Sequence, residues 1–174
     1  MGCDGGSIPK RRELVKTKQN HIITHQQYEQ RRWFTCALSM QPLSMPIVSC
    51  CMGRLYNKEA IITYLLQRKQ KNNQGNSIVD HITCLKDVVT LNLTLNPTMP
   101  NYDVEYAERN HIPLFICPVT RKEMNNQCRF VYLNPCGCVF SQQAITTMIH
   151  HGVTQQTCLL CNKPYDTVTV IYGE

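Results

Sequence analysis

Four cysteines fall in two close pairs, Cys136-x-Cys138 and Cys158-x-x-Cys161, separated by residues 139–157. Two thiol pairs flanking one short element suit a tetrahedral metal such as Zn²⁺. The two-residue spacing of the second pair lets one turn present both sulfurs on the same side. The single-residue spacing of the first is tight, and Gly137 supplies the sharp turn it needs. With all four positions filled by sulfur, no position is left open for water, so this ion would be structural rather than catalytic. Its binding energy would then be folding energy for a small module. Reduced core cysteines or a redox pair are the competing reading.

The whole chain of 174 residues holds eleven cysteines. An odd count, with no apolar stretch behind the basic residues near the start, argues against a secreted disulfide scaffold and for reduced thiols in the cytosol or nucleus. Met1-Gly2-Cys3-Asp4-Gly5-Gly6 resembles a myristoylation signal, but Gly6 stands where Ser or Thr is wanted, so no lipid is expected. The longest apolar run, Ile61–Leu66, falls far short of the roughly 20 residues a membrane span needs, so no membrane partner is expected. Net charge is +6, a mild bias toward acidic partners.

Patterning divides the chain. Residues 1–32 read as an extended Gly-rich, basic arm with a short helix near Gln26–Arg32; Lys10, Arg11, Arg12, Lys16 and Lys18 make it a candidate partner-binding arm. Residues 33–95 form a first module. In it Pro46-Ile47-Val48 is a short strand and Asn57 caps a helix from Lys58 to Lys71, with Ile61, Ile62, Leu65 and Leu66 on one face. Val89, Leu91, Leu93 and Leu95 alternate with polar residues as one strand. Residues 96–112 read as a linker. Residues 113–174 form a second module: a strand over Arg129–Asn134, a helix over Gln142–His151 capped by Ser141, and a β-prone run at Thr167–Tyr172.

The modules repeat one another. Phe34-x-Cys36-x-x-Ser39 aligns with Phe115-x-Cys117-x-x-Thr120, Gly53-x-Leu55-Tyr56-Asn57 with Gly137-x-Val139-Phe140-Ser141, and Cys84-x-x-Asp87 with Cys158-x-x-Cys161. This order of parts resembles a RING cross-brace, which interleaves two zinc sites. The mapping fills only one of them, with Cys136, Cys138, Cys158 and Cys161. The other becomes a vestigial site where Cys117 keeps the one thiol and Thr120 and Ser141 supply hydrogen bonds. One structural Zn²⁺ is expected, as in SUMO-ligase RINGs. The first module maps to Cys36, Ser39, Asn57 and Ala60, and to Met52, Arg54, Cys84 and Asp87, neither a full ligand set. It therefore resembles a zinc-less U-box, with a distorted site from Cys36, Cys50, Cys51 and Cys84 as the alternative and His151 as a reserve ligand for the complete site. The fold class expected is α+β: two small RING/U-box-like modules in tandem behind the arm.

Blocks over most of the chain resemble the replication termination factor 2 family. They are Met1–Lys16, Gly53-Arg-Leu-Tyr-Asn-Lys-Glu-Ala60, His81-Ile-x-x-Leu-Lys-Asp-Val88, Phe115-Ile-Cys-Pro-Val119 and Cys136-Gly-Cys-Val-Phe-Ser141. The resemblance implies a nuclear protein with a one-zinc RING-like domain, acting in replication-fork pausing or termination at barriers and in pre-mRNA splicing. Its partners would be protein assemblies of the fork or spliceosome. The alternative is a RING-type ubiquitin or SUMO ligase, with Val119, Leu159 and Leu160 as the contact for a conjugating enzyme. A cation normally follows the last ligand of such a ligase; here Asn162 stands there and Lys163 follows, which weakens the enzymatic reading. No P-loop or Gly-x-Ser-x-Gly is present. Basic residues without interleaved aromatics predict at most weak, non-specific nucleic-acid binding.

Overall fold

The computed structural model describes residues 31–70, 78–99, 102–150 and 157–172. Of the arm, only Arg31 and Arg32 are among them; Lys10, Arg11, Arg12, Lys16 and Lys18, and all but the last two residues of the helix expected near Gln26–Arg32, lie outside the described residues. The chain is mixed α/β, with small antiparallel sheets and few helices. In order, the elements are β1 (Ile47–Cys50), β2 (Leu55–Asn57), α1 (Lys58–Gln70), a 3₁₀ turn at Leu85–Asp87, β3 (Val88–Thr90), β4 (Thr94–Leu95), α2 (Val104–Asn110), β5 (Phe115–Ile116), β6 (Phe130–Asn134), β7 (Val139–Ser141), α3 (Gln142–His150) and β8 (Thr167–Ile171).

The two three-stranded sheets have the same plan. β1 lies between β2 and β3, and β6 lies between β7 and β8. Each central strand is sandwiched by neighbours and carries apolar residues on both faces: Ile47, Val48 and Cys50 in one, Phe130, Val131, Tyr132 and Leu133 in the other, all buried. Each hairpin is followed at once by a helix. On α1, Ile61 is buried and Tyr64 and Leu65 pack against the core, whereas Ile62 and Leu66 are exposed. The expectation that all four aliphatic residues share one face is thus corrected. At about 100° per residue, positions 61 and 65 make one stripe and 62 and 66 the next.

Two further expectations change. The alternating run from Val89 to Leu95 is two strands rather than one. The chain leaves β1 after β3, and β4 pairs instead with β5, Thr94 opposite Ile116 and Leu95 opposite Phe115. Asn57 does not cap α1 with its side chain, which accepts from Ser44 N–H at 2.9 Å and donates to the Pro42 carbonyl at 2.9 Å. Ser141 does cap α3, accepting from Ala144 N–H at 3.3 Å. Within the expected linker, α2 forms behind an Asp103 cap that accepts from Tyr106 N–H.

The halves are not beads on a string. One cluster of buried side chains runs from Trp33 to Ile171 through both sheets. The Tyr132 hydroxyl donates to the buried Cys50 carbonyl at 2.9 Å. At the hairpin turns the contact is reciprocal. Gly53 in the first half accepts from Tyr172 N–H at 3.1 Å, and Gly137 in the second accepts from Asn92 N–H at 2.8 Å. Both glycines sit at positive φ, +71° and +74°. A Cβ on Gly53 would lie 2.0 Å from the Val170 carbonyl oxygen, and one on Gly137 2.0 Å from that of Thr90. No helix among the described residues is long and apolar enough to cross a membrane.

Left-handed backbone strain and the backbone clash add at these glycines, so Gly53→Ala and Gly137→Ala should each cost about 2–5 kcal/mol. Urea unfolding of the intact chain reads this; a loss under about 0.5 kcal/mol at either position would show that the turns stand clear of the opposite strand.

Candidate metal centre

The site is built from a loop that recurs three times. In each, a cysteine N–H reaches a carbonyl five residues on: Cys36 to Gln41, Cys117 to Lys122 and Cys158 to Lys163, all at 2.8 Å. The residue four after the cysteine returns a bond to the cysteine carbonyl, from Met40 at 3.0 Å and from Arg121 and Asn162 at 2.9 Å. Those three residues carry positive φ, between 54° and 56°. A β-bridge closes each loop, Thr35 to Pro42, Ile116 to Glu123 and Thr157 to Pro164. This third occurrence was invisible in sequence. Asn tolerates left-handed backbone, but Met and Arg give no such signal.

What differs is how each loop satisfies its sulfur. Cys36 Sγ accepts from Ser39 N–H at 3.5 Å and Asn57 N–H at 3.3 Å. Cys117 Sγ accepts from Thr120 N–H at 3.4 Å and Ser141 N–H at 3.3 Å. The Thr120 and Ser141 hydroxyls meet at 3.0 Å. The structure thus brings Cys117, Thr120 and Ser141 together, with a hydrogen-bonded cage around one buried thiol. Burial raises the Cys117 pKa, but the bonds from Thr120 and Ser141 outweigh it, and the net shift is downward.

The third loop carries two thiols, Cys158 and Cys161, and they face the β6–β7 turn. The sulfurs of Cys136, Cys138, Cys158 and Cys161 all lie within 4.8 Å of one another. Cys138 and Cys161 are 3.9 Å apart. A tetrahedral ion with metal–sulfur bonds of about 2.3 Å puts its sulfurs about 3.8 Å apart, close to the Cys138–Cys161 separation, so the group could hold such an ion. Burial pushes the Cys136 and Cys138 thiols up, while the Lys163 N–H draws the exposed Cys161 down. A bound cation would hold all four as thiolates.

Among the described residues this is the only group of three or more Cys, His, Asp or Glu side chains so placed. The alternative set Cys36, Cys50, Cys51 and Cys84 is not gathered. Cys50 Sγ lies 3.7 Å from the Tyr56 hydroxyl, and Cys84 Sγ lies 3.3 Å from Asp87. In that fourth loop a carboxylate does the holding. Asp87 accepts from Cys84 N–H at 2.9 Å, Thr83 N–H at 2.7 Å and Thr83 Oγ1 at 2.8 Å, which keep its pKa far below the usual carboxylate range. The positions matching Cys136 and Cys138 hold Met52, which is exposed, and Arg54, which donates to the Ile78 carbonyl. His151 lies outside the described residues. Val119 and Leu160 stand out on the second and third loops, 48% and 50% exposed, while Leu159 packs partly against the core.

A model of the family described as Rtf2 RING-finger matches residues 1–172. Curated relatives are named replication termination factor 2. That of Gallus gallus is 40% identical over 181 residues, covering 98% of this chain and 56% of the relative. That of Sus scrofa is 39% identical over 180 residues, covering 99% and 57%. That of Homo sapiens is 38% identical over 176 residues, covering 98% and 56%. The chain therefore spans a little over half the length of these relatives.

Elemental mass spectrometry of protein purified without added metal should find one equivalent of a divalent ion per chain. Structural ions of this kind contribute roughly 10–16 kcal/mol to small domains, so losing even a third of that should lower Tm by on the order of 10 °C on chelation. Full thermal stability after complete metal removal would mean that the thiols are ordinary core cysteines.

Proposed function

The chain belongs to the Rtf2 RING-finger family, and from that premise we propose that it is a zinc-stapled interaction protein of the nucleus. It acts through protein contacts where replication forks pause or terminate at barriers, with pre-mRNA splicing as a second setting. The observation that carries the reading is the closed four-sulfur group. Soft thiolates in a tetrahedral arrangement favour zinc, and four of them leave no coordination position for water or substrate. The ion then staples a fold, and the surfaces around it do the binding. An odd count of eleven cysteines suits reduced thiols, as a compartment such as the nucleus would keep them. The relatives' name supplies the replication setting. The basic residues Lys10, Arg11, Arg12, Lys16 and Lys18 serve as a docking arm; any contact they make with nucleic acid is weak and sensitive to salt.

A second reading is a RING-type ubiquitin or SUMO ligase. Such a protein does no covalent chemistry itself; it holds a charged conjugating enzyme in a reactive pose. The half-exposed Val119 and Leu160, each two residues after the cysteine that heads its loop, favour it. Asn162 at the place of the usual cation opposes it.

Tagged protein recovered from nuclei and read by mass spectrometry separates the readings. Wild type should bring down replication-fork or splicing components, and both Cys136→Ser/Cys158→Ser and a deletion of residues 2–18 should lose them. Recovery of conjugating enzymes and little else would replace this reading with the ligase. A discharge assay checks the same point from the other side. With a charged conjugating enzyme, Val119→Ala/Leu160→Ala should leave the rate unchanged, whereas a tenfold slowing would establish ligase activity.

A further inference from the structure

Asn92 lies at the break between β3 and β4, outside the half that carries the four thiols. Its backbone N–H donates to the Gly137 carbonyl at 2.8 Å, and it bridges to Cys138 in parallel. Its carboxamide reaches further. Nδ2 lies 2.9 Å from the Cys136 carbonyl oxygen and 3.8 Å from Cys138 Sγ. A carbonyl oxygen only accepts, and so does a thiolate sulfur, so it is the NH₂ end of the amide that must face them. One side chain therefore spans the turn that presents half of the ligand set.

The repeat provides an internal comparison. Tyr172 holds the matching place against the first half and makes the same backbone bond, from its N–H to the Gly53 carbonyl. The turn at Gly53 carries Met52 and Arg54 in place of thiols. There the Tyr172 hydroxyl donates to the Arg32 carbonyl at 2.6 Å and accepts from Leu55 N–H at 3.4 Å. The backbone clasp is common to both halves and serves packing. The side-chain contact to sulfur occurs on the side with the ligands.

We propose that Asn92 is a positioning residue of the metal centre, donating to Cys136 O and Cys138 Sγ so that metal affinity depends on a residue from the opposite half. Four thiolates around a dication leave excess negative charge on sulfur, and an N–H aimed at one of them offsets part of it. The same contact fixes the Cys136-Gly137-Cys138 turn before the ion arrives. Metal binding and the docking of the two halves are thereby one linked equilibrium. This rests on the metal reading above.

The test uses the full chain with Asn92→Ala and Asn92→Asp. Neither touches the backbone bond to Gly137, and Asp keeps the shape of Asn while its carboxylate has no N–H to give. Zinc affinity is measured by competition with a chromophoric chelator, and the sulfur-to-metal charge-transfer band is followed after Co²⁺ substitution. Both variants should bind zinc about 10–100-fold more weakly, Asp no better than Ala, with the Co²⁺ band displaced. Affinity within twofold of wild type in both variants would overturn the proposal. So would Asn92→Asp at wild-type affinity beside a weakened Asn92→Ala, because shape alone would then suffice. If wild type itself binds neither ion, the metal reading fails and takes this one with it; wild-type binding with unchanged variants removes this one alone.

Discussion

Two glycine turns hold the molecule together, because each must lie flat against the end of the opposite sheet. Gly53 meets Val170 and Tyr172, and Gly137 meets Thr90 and Asn92, with no room for a side chain at either contact. Everything else is placed by that exchange. β3 turns away from its sheet where Asn92 reaches Gly137, and that departure lets β4 pair with β5. Trp33 packs edge-on against Phe130 at 6.3 Å and Tyr172 at 5.1 Å, so the residue just behind the N-terminal arm rests on the second half. A core divided between two sheets of three short strands is too small in either half to stand comfortably alone. Merged, it runs as one cluster.

One loop design serves three sites with different chemistry. Sulfur at its head accepts two backbone N–H groups in the loops of Cys36 and Cys117. In the loop of Cys158 a second thiol is added, and the β6–β7 turn supplies two more. The fourth loop uses the Asp87 carboxylate instead. All solve one problem, namely satisfying the orphan donors or acceptors of a tight turn without a helix or sheet ladder. Among the described residues, only the arrangement with four sulfurs could hold an ion. A first half held by hydrogen bonds and a second whose four thiols could hold an ion would respond differently to chelators and oxidants, although their strand plans are the same.

The candidate site was largely legible in the residues themselves. Cys136, Cys138, Cys158 and Cys161 were marked by spacing alone, and Ser141 by its place before a helix. Thr120 entered through the repeat. Asn92 was not legible, since an Asn in an alternating apolar run reads as a solvent-facing strand residue. Its role comes from a partner 44 residues away in the chain. Asn57 was misread for a related reason. Before a helix it resembles a cap, but the Pro42–Ser44 loop lies close enough to claim its carboxamide. The break between β3 and β4 is not marked in the sequence, because alternation fixes which face a side chain takes and says nothing of which strand lies beside it.

Sequence by itself determined the local matters: where α1, α3 and several of the strands fall, that Gly137 turns the chain sharply, which half carries a full set of thiols, and which family the chain resembles. Those features depend on residues a few positions apart, where spacing and backbone preference decide. Tertiary structure alone decided that the halves share one core, that Cys36, Cys50, Cys51 and Cys84 stay apart, and that a residue of the first half reaches the sulfur of the second. Each depends on surfaces meeting across long stretches of chain, and periodicity carries no information about which surface meets which.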